Sequence, residues 1–460
     1  MEAIKLLKRL NRETAAEVYY SGEFVRDLAR RKRSNEIKVV VRNLPFRKLV
    51  EYIKKHKKRL YKIYSNTRRG YLKFQLKDSK NIIHAHLPQK NGRHSPYYSL
   101  SEDAHCQDFT INAMYLSVRS MSRDNIIDII GGLEDIKRKR IRTIRSAKHL
   151  VKRNPSCMMK AIALSAKLRY RIDNNLFYAI KVNHPLVSKV NAIEIRNTLI
   201  DVLLSHRPSR YFKIMNDGGL LDIVFPELSL CVGVSQNKKY HKYDVFEHLL
   251  VACDRVKPDL ILRLAALMHD IGKPETRDEI VKGKSARITF YNHEVVSARI
   301  AKKILKRLKF DKECVVRVPE LIYQHMYNYE HEKWSDAAVR RFIKKVNLTE
   351  KDLKDLDNLP IFLLRKADRY ANGKNLSSIS PRQINFQKRI KEVYTDSKAL
   401  HVSDLDIDGN VLMNEFKLKP GPTVGHVLNY LLSLVIEDQK LNERKTLINA
   451  ASEYLSKALK

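Results

Sequence analysis

Two stretches near the start of the chain carry residue types that could position a metal ion. VYYSGEFVRDLAR, residues 18–30, has the pattern of a strand, a glycine turn and the start of a helix. A chain that begins in this way often places acidic residues on its next strand, where they hold Mg²⁺ for phosphoryl transfer. Here the next predicted strand, within RKRSNEIKVVV, has Glu36 and Lys38 at alternate positions. A lysine ammonium repels Mg²⁺ and cannot ligate it, so the frame of a transfer site lacks part of its ligand set.

The charge of the chain predicts a polyanionic partner. Its 460 residues contain 89 Lys and Arg against 51 Asp and Glu, a formal net charge of 89 − 51 = +38. A protein gains binding free energy when its lysines and arginines neutralise phosphates and release their counterions, so this excess of positive charge predicts a nucleic acid as the partner. The basic residues are interspersed among apolar ones, which argues against a disordered basic tail. The alternative is a solvated basic surface that selects no partner.

Cysteine usage and hydropathy favour a cytoplasmic protein that does not enter a membrane. The cysteines are odd in number and include no CxxC pair, so neither a disulfide framework nor a zinc knuckle is indicated. The N-terminal MEAIKLLKRLNRE predicts an amphipathic helix without the apolar core of a signal peptide. No run approaches the ~18 apolar residues of a spanning helix.

Hydrophobic periodicity predicts an α+β fold with a mixed head and a helical remainder. Residues 18–130 alternate helical segments with β-branched runs, namely IKVVV, GYLKFQL, NIIHAHL and NIIDII. From residue 146 onward the patterns are almost wholly helical, with proline and glycine between the helices. A small α/β head should therefore precede an all-α neck, body and tail.

Several motifs stand in a fixed order: YYSGEFVRD, QDFTINAMYL, DIIGGLEDIKRKRIRTI, RPSRYFKIMNDGGLLDIVFPEL, YHKYDVFEHLL, LRLAALMHDIGKPE and LDIDGNVLMNEFKLKPGPTVGHVL. Together they resemble the bacterial tRNA nucleotidyltransferase and poly(A) polymerase family, the CCA-adding enzymes with an HD domain, over nearly the whole chain. The resemblance implies a nucleotidyltransferase-like head over residues 1–145 and a helical neck over 146–232. It also implies an HD metal-dependent phosphohydrolase-like body over 233–375 and a helical tRNA-binding tail over 376–460.

The positions that carry the family's transfer chemistry differ in this chain. In the family, two glycines before VRD let a triphosphate approach the backbone, and here they are Gly22 and Glu23. The family's Asp-x-Asp pair holds magnesium, and the corresponding residues are Glu36 and Lys38. The glutamate at the second glycine position repels phosphate, and the lysine repels the metal.

Two further parts of the family's transfer site also differ. Paired arginines before DFTINAM are replaced by Cys106 and Gln107. The Glu-Asp-x-x-Arg stretch that templates the incoming base is replaced by Arg153, Asn154 and Cys157 within RNPSC. Four altered parts of one site predict a head that no longer adds nucleotides. The alternative is that another carboxylate pair serves, with Asp78, Asp103 and Asp108 as the candidates.

By contrast, the resemblance implies a complete metal-ligand set in the HD body: His248, His269, Asp270, His293, His325 and Asp368. Each lies within or at the end of an apolar helical run, where an unpaired polar side chain is costly and a shared metal removes that cost. We expect His248, His269, Asp270 and Asp368 at one position, with His293 and His325 completing a second that Asp270 bridges. Four imidazoles and two carboxylates favour Mn, Fe, Co or Ni, with Mg as an option at one position.

Two smaller features have alternative explanations. Lys273, one turn past the HD pair, is the expected catalytic cation for phosphoryl charge, and the alternative is a solvated lysine at a helix end. In the tail, Gly421 shapes a turn into a helix N-terminus, which with Lys417 and Lys419 could hold an RNA phosphate. The alternative is a turn that only connects two helices.

Three functions remain open from the sequence. The first is an RNA-binding protein, directed at tRNA, whose HD body acts as a phosphatase or 2′,3′-cyclic phosphodiesterase while its head is inactive. The second is an active tRNA nucleotidyltransferase or poly(A) polymerase with unusual ligands. The third is a non-enzymatic RNA-binding scaffold. Lys38 and the RNPSC stretch favour the first over the second, but a filled metal site need not turn over, so the third stays open.

Overall fold

The fold is α+β, as predicted, with a mixed head and a mainly helical remainder. The computed structural model describes residues 2–34, 36–56, 60–77, 81–282, 285–326, 334–373 and 381–458. The chain divides into two compact units, residues 1–229 with 306–310 and residues 230–305 with 311–460. None of the described helices combines the length and the apolar composition that crossing a bilayer requires.

The first unit is built on a seven-stranded sheet. Its strands, with the two-stranded pairs that accompany it, are β1 (Glu17–Ser21), β2 (Glu36–Arg42), β3 (Leu60–Asn66), β4 (Tyr71–Leu76), β5 (Ile82–His86), β6 (Gln89–Lys90), β7 (Arg93–His94), β8 (Met114–Ser117), β9 (Ile127–Asp128), β10 (Arg140–Ile141) and β11 (Arg171–Ile172). The sheet order is β3-β4-β5-β2-β1-β8-β9. Within it, β2 and β5 pair in parallel and the other neighbours pair antiparallel.

Alternating apolar residues explain the central strands. Ile37, Val39 and Val41 on β2 are buried in the same cluster as residues of β1, β4 and β5. The predicted strands IKVVV, GYLKFQL and NIIHAHL correspond to β2, β4 and β5, and only Ile127–Asp128 of NIIDII forms a strand. The sequence did not predict β3, because its residues are mostly exposed at the sheet edge and show no apolar alternation.

Helices flank the sheet and form the rest of the first unit. They are α1 (Glu2–Glu13), α2 (Glu23–Ala29), α3 (Phe46–Lys55), α4 (Leu100–Ala104), α5 (Gly132–Lys137), α6 (Ala147–Arg153), α7 (Ser156–Leu168), α8 (Asn174–Asn183), α9 (Ala192–Leu203), α10 (Pro208–Asp217), α11 (Leu221–Val224) and α12 (Pro226–Ser229). Leu7 and Leu10 of α1 and Leu49 and Ile53 of α3 pack into the same apolar cluster as the strands, so these helices cover the sheet.

The GGLED segment is a structural motif of the head. Asp128 accepts hydrogen bonds from the backbone N–H groups of Gly131 and Gly132 at 2.9 and 2.8 Å, which stabilises the start of α5. Asp135, fully buried, pairs with Arg140 at 2.6 Å and with Arg142 at 2.8 Å. The segment therefore supports a turn, a helix start and a buried carboxylate that pairs with two partly exposed arginines.

We expect Asp135→Ala to destabilise the first unit by about 1 to 3 kcal/mol, since it removes the buried acceptor of hydrogen bonds from Thr110, Arg140 and Arg142. Glu134→Ala is the matched control, because Glu134 pairs with Arg138 on the surface and exposed pairs contribute less than about 1 kcal/mol. Denaturant unfolding measures both variants. Equal losses of unfolding free energy would show that Asp135 is not a buried structural charge.

The second unit is mainly helical. Its elements are α13 (Val245–Arg255), α14 (Leu260–Met268), α15 (Lys273–Thr276), β12 (Asp278–Lys282), β13 (Ser285–Thr289), α16 (His293–Arg307), α17 (Lys312–Gln324), α18 (Asp336–Lys345), α19 (Pro360–Ala371), α20 (Pro381–Asp396), α21 (Gly409–Glu415), α22 (Pro422–Glu437) and α23 (Arg444–Ala458), with the end of α16 belonging to the first unit. The antiparallel pair β12–β13 interrupts the helical pattern expected for this region.

The helix before the HD pair shows how the sequence defines a helix of this unit. Asp259 is the N-cap of α14, and its side chain accepts a hydrogen bond from the backbone N–H of Leu262 at 2.9 Å. Leu260, Leu264 and Leu267 recur at helical spacing; Leu264 and Leu267 are buried, and Leu260 is half-buried. Helices α13, α17 and α19 pack around α14. The end of α14 therefore lies inside the unit, where the residues that follow it are shielded from solvent.

Candidate functional site

The six side chains assigned to the HD body lie together in the second unit. Five segments contribute them: α13 contributes His248, the end of α14 contributes His269 and Asp270, α16 begins with His293, the end of α17 contributes His325, and α19 contributes Asp368. The four histidines and Asp270 are buried, and the Asp368 side chain is 14% exposed. Buried groups of this kind require partners, which they find in one another.

A glycine allows two of these segments to approach closely. A Cβ atom on Gly272 would lie 2.7 Å from the backbone nitrogen of Ser297 and 2.9 Å from the carbonyl oxygen of His293. The backbone N–H of Gly272 donates to Ser297 Oγ at 2.8 Å. The segment after α14 therefore lies against the first turn of α16, which brings His293 to Asp270.

The first group contains His248, His269, Asp270 and Asp368. The Nε2 atom of His248 lies 3.1 Å from Nε2 of His269, 3.3 Å from Oδ2 of Asp270 and 3.2 Å from Oδ1 of Asp368. The Nε2 atom of His269 lies 3.4 and 3.5 Å from the same two oxygens. All four ligand atoms lie within 4.8 Å of one another. Such a set of nitrogens and oxygens can surround one metal ion with bonds of roughly 2 Å.

The second group shares Asp270 with the first. The Oδ1 atom of Asp270 lies 3.1 Å from His293 Nε2 and 3.5 Å from His325 Nε2. The two oxygens of Asp270 therefore face different groups, which is the arrangement of a carboxylate that bridges two ions. The structure thus brings together the two groups that the sequence predicted.

Outer hydrogen bonds orient three of the imidazoles. The Nδ1 atoms of His269, His293 and His325 bond the carbonyl oxygens three residues earlier, at 2.9, 2.7 and 2.6 Å. When Nδ1 carries the proton that is donated to the carbonyl, the Nε2 lone pair is available to a metal. The ring orientations and donor types therefore fit a divalent metal ion.

The electrostatics of the cluster also fit a cation. Burial acts to raise the pKa of Asp270, but Lys273 and the histidines outweigh it and hold that pKa well below its usual range. For Asp368, burial is outweighed by the hydrogen bonds from His248 and His269, and the pKa is again lowered. Burial acts to lower the pKa of His269, whereas the two carboxylates raise it to about 10. The carboxylates therefore stay ionised and attract positive charge.

Lys273 is buried beside the cluster, so its interpretation as a solvated lysine is wrong. Its ammonium lies 2.6 Å from Asp270 Oδ2 and donates to Gln236 Oε1 at 2.7 Å. The side chain is held there because α15 starts immediately after the HD segment. A cation fixed at this point faces the cavity that the cluster opens into.

The cluster borders a cavity of about 350 Å³. The residues on its walls that were not predicted from the sequence include His241, Tyr291 and Arg365. Arg365 donates to Asp368 Oδ2 at 3.1 Å, and the His241 ring packs on His248 with centroids 5.4 Å apart. Because Arg365 stands one turn before Asp368 in LLRKADRY, the sequence could have indicated that the two side chains meet. Tyr291 gave no such signal.

Four residues of the head that differ from the family's pattern border a second cavity, of about 580 Å³: Glu23, Glu36, Lys38 and Gln107. Gly22, which matches the pattern, also lines it. Gly22, with φ 62°, forms the turn between β1 and α2, and Glu23 begins α2. Glu36 and Lys38 alternate on β2 and so project from the same face of the sheet. A Cβ atom on Gly22 would lie 3.3 Å from Lys38 Cδ. Among the described residues, clusters of three or more His, Cys, Asp or Glu side chains that could hold a metal occur in the HD body and not in the head.

The other carboxylates proposed for the head have structural partners. Asp103 is buried and accepts hydrogen bonds from the Tyr115 hydroxyl at 2.7 Å and the Gln89 backbone N–H at 2.9 Å. Asp108 pairs with Lys160 at 3.0 Å. Asp78 lies outside the described residues. Both described aspartates therefore have partners within the protein other than a metal.

The positions that correspond to the base-templating stretch do not form a common polar surface. Arg153 is exposed in the last turn of α6, and Asn154 follows that helix as its C-cap. Cys157 is fully buried in α7, and burial raises the pKa of its thiol to about 12. A buried, protonated thiol cannot take the part that an arginine plays in recognising a base.

In the tail, Lys417 and Lys419 are exposed in the turn before α22, and Gly421 is its N-cap. Pro422 occupies the first turn, where its missing N–H leaves no helical hydrogen bond unmade. The structure therefore places the three residues at one helix start, while their contact with RNA remains a prediction.

Comparison with known families gives the same domains in the same order. The Poly A polymerase head domain matches residues 18–142, the "Probable RNA and SrmB- binding site of polymerase A" matches 169–231, and the HD domain matches 240–373. Together these matches cover the sheet, part of the helical neck and the metal-ligand cluster.

Named relatives and solved structures agree with these matches. The A-adding tRNA nucleotidyltransferase of Deinococcus radiodurans is 28% identical over 348 residues, covering 72% of this chain and 74% of the relative. The CC-adding tRNA nucleotidyltransferase of Thermus thermophilus is 28% identical over 350 residues, covering 74% of each. The Bacillus stearothermophilus CCA-adding enzyme in complex with CTP superposes with a TM-score of 0.63 at 16% identity, covering 99% of this chain and 98% of that one.

Proposed function

We propose that the chemistry of this chain resides in its HD body. The chain belongs to the tRNA nucleotidyltransferase and poly(A) polymerase family, the CCA-adding enzymes with an HD domain. In the HD body it hydrolyses phosphate esters at RNA ends, as a phosphatase or a 2′,3′-cyclic phosphodiesterase. The head does not add nucleotides. The RNA is tRNA, the substrate that the names of its relatives indicate.

The observation that carries this proposal is the carboxylate of Asp270, whose two oxygens face two groups of histidines beside a cavity. Hydrolysis of a phosphate ester requires an activated water, a place for the phosphoryl oxygens and compensation of their charge. The cluster, the cavity and Lys273 supply these three requirements at one place. A divalent ion held by the cluster would lower the pKa of a bound water and so provide the nucleophile.

The chain's own side chains have separate tasks in this proposal. Asp270 holds the two ligand groups at a fixed separation, and the backbone carbonyls keep the imidazoles oriented. Lys273 and Arg365 line the cavity and carry positive charge, so they bind the phosphate oxygens and balance their charge as the ester bond breaks. The mixed nitrogen and oxygen donors favour Mn, Fe, Co or Ni, with Mg at one position.

Organisation and location complete the proposal. We assign residues 1–145 to the head, 146–232 to the neck, 233–375 to the HD body and 376–460 to the RNA-binding tail. All five cysteines are free, which suits the reducing cytoplasm.

Nucleotide addition is the second candidate function, because the relatives are named for it. A single experiment separates the candidates: purified protein is incubated with tRNA carrying intact, truncated and 2′,3′-cyclic phosphate 3′ ends. Each reaction is run with and without CTP, ATP and divalent metals. Hydrolysis that depends on metal and not on nucleotides supports the proposal, and extension of the tRNA supports the second candidate. The absence of both activities supports a scaffold.

We expect tRNA binding with steep salt dependence, because several phosphate contacts to a chain of net charge +38 release counterions. Between about 50 and 200 mM salt the affinity should fall roughly 10³-fold. The double variant Lys417→Ala with Lys419→Ala should reduce the slope of log affinity against log salt by about 1 to 2.

The control for that variant is Lys351→Ala with Lys354→Ala, which removes the same charge from exposed lysines elsewhere in the second unit. Filter binding or fluorescence anisotropy over a salt series measures all three proteins. A tRNA affinity that does not change with salt concentration would contradict the electrostatic explanation of binding. Equal slopes for the two double variants would reject the tail turn as a phosphate contact.

A further inference from the structure

A basic cavity of about 670 Å³ lies on the face of the head sheet that α1 covers. Leu6 of α1 and Leu76 at the end of β4 line it, and both belong to the apolar cluster that contains Val39 of β2. Side chains alternate along a strand, so Lys38 of β2 projects from the opposite face of the sheet. This basic cavity is therefore separate from the head cavity that Glu36 and Lys38 border.

Cationic side chains from two parts of the chain converge on the basic cavity. Helix α1 contributes four of them and the segment after β8 contributes one: Lys5, Lys8, Arg9, Arg12 and Arg119. The guanidinium of Arg119 donates to the carbonyl oxygen of Asn11 at 3.4 Å, which holds it beside α1. The ring of His56, which follows α3, also lines the cavity. The convergence therefore depends on the packing of α1 in the head and is not a property of one helix surface.

The carboxylate beside the basic cavity does not balance this charge. Glu13 pairs with Arg9 at 3.3 Å and with Arg12 at 3.8 Å. Within the described part of the chain, neither these two arginines nor Lys8 and Arg119 form another ion pair. The fifth cation has a further interaction and is left out of this balance. Four cations therefore face one carboxylate, which favours an anionic ligand.

The apolar face of α1, and not its cations, attaches the helix to the sheet. Leu7 and Leu10 are buried in the apolar cluster. Lys8 and Arg12 are exposed and four residues apart, and like charges at this spacing destabilise a helix. An anion between the two side chains removes this repulsion, so the arrangement suits a ligand.

We propose that the basic cavity binds consecutive phosphate groups, those of a free oligophosphate or of the backbone of an RNA strand. Guanidinium and ammonium groups form charge-assisted hydrogen bonds with phosphate oxygens, and several donors at one place hold several phosphates. The volume of about 670 Å³ lies within the usual range of small-molecule sites, roughly 300–1,000 Å³. The proposal is independent of hydrolysis in the HD body and of the chemistry of the head cavity.

A membrane surface is a poorer partner for α1. Basic amphipathic helices bind anionic lipids by burying their apolar face at the boundary of the acyl chains. The apolar face of α1 is already buried in the head, where Leu6 is 7% exposed, Leu7 1% and Leu10 0%. The helix therefore offers its charges but no apolar face to a bilayer, and phosphate groups that enter the cavity from solution fit it better.

Calorimetric titration of the full-length protein, in buffer without divalent cations, tests the proposal. The probes are inorganic tripolyphosphate, a short oligouridylate and polyglutamate of comparable charge. We expect at least one of the two phosphate probes to bind more tightly than polyglutamate. Binding of tripolyphosphate assigns the cavity to a free oligophosphate, and binding of oligouridylate alone assigns it to the RNA backbone.

Variants then locate the binding at this cavity. Lys8→Ala with Arg12→Ala should weaken binding of the phosphate probe roughly 10- to 100-fold, the loss expected when charge-assisted hydrogen bonds are removed. Arg119→Ala, from a different part of the chain, should weaken binding of the same probe. The control Lys148→Ala with Lys152→Ala removes the same charge at the same spacing from exposed positions of α6, and it should bind as the wild type does. Circular dichroism verifies that each variant is folded.

Three results would overturn the proposal. They are the absence of binding by both phosphate probes, binding of polyglutamate as tight as theirs, and equal affinity of the wild type and the two cavity variants. The last result would place the phosphate binding elsewhere on the chain. Equal weakening by the control and by Lys8→Ala with Arg12→Ala would also reject the cavity, since net charge alone would then explain the affinity.

Discussion

Asp270→Asn is expected to lower metal-dependent hydrolysis of RNA 3′-phosphate or 2′,3′-cyclic phosphate by more than about 100-fold. Removing a residue that only hydrogen-bonds a metal ligand lowers metal affinity or activity roughly 10- to 100-fold. Asp270 is itself a ligand-type residue and is shared by both groups, so a larger loss of activity is expected. The amide has nearly the same shape but no charge, so both positions lose their bridging carboxylate. Rates are measured with the phosphate-ended RNA, and metal content by elemental analysis of the same preparations.

The matched control is Asp278→Asn, the same change at an exposed aspartate of the same unit. Its rate and metal content should equal those of the wild type. If Asp270→Asn loses metal and hydrolysis while its melting temperature holds, the cluster is catalytic. If it loses stability and the wild type never hydrolyses the substrates, the metal is structural and the scaffold function replaces our proposal.

The second large effect is the absence of nucleotide addition. With CTP or ATP and any of Mg²⁺, Mn²⁺ or Co²⁺, we expect no lengthening of a truncated tRNA above background, because Lys38 occupies a metal-ligand position. The double variant Glu36→Asp with Lys38→Asp should also stay inactive, since Glu23 and Cys157 still differ from the family pattern. The A-adding relative from Deinococcus radiodurans, assayed on the same tRNA, is the positive control.

Gel electrophoresis at single-nucleotide resolution measures the lengthening. CTP- or ATP-dependent extension by the wild type would contradict the prediction, provided that Glu36→Ala abolishes it. Extension that survives Glu36→Ala would come from a contaminating enzyme. In the first case nucleotide addition with an unusual ligand set becomes the function of the head.

Much of the fold followed from local patterns. Ile37, Val39 and Val41 alternate and are buried on β2, and Leu264 and Leu267 recur at helical spacing and are buried on α14. These patterns were sufficient because each element buries one apolar face. The edge strand β3 buries little and owes its pairing to β4, so its own sequence carried no comparable signal.

The sequence by itself determined which residue types are present: six ligand-type side chains on apolar helices, and a lysine in the head where the family has a metal ligand. The tertiary structure decided how they are used. His248 and Asp368 meet only because α13 and α19 pack together, and Lys273 is buried because its segment turns toward Asp270. Spacing along a chain specifies which face of a helix a side chain occupies, whereas the distance between two helices depends on how all their neighbours pack.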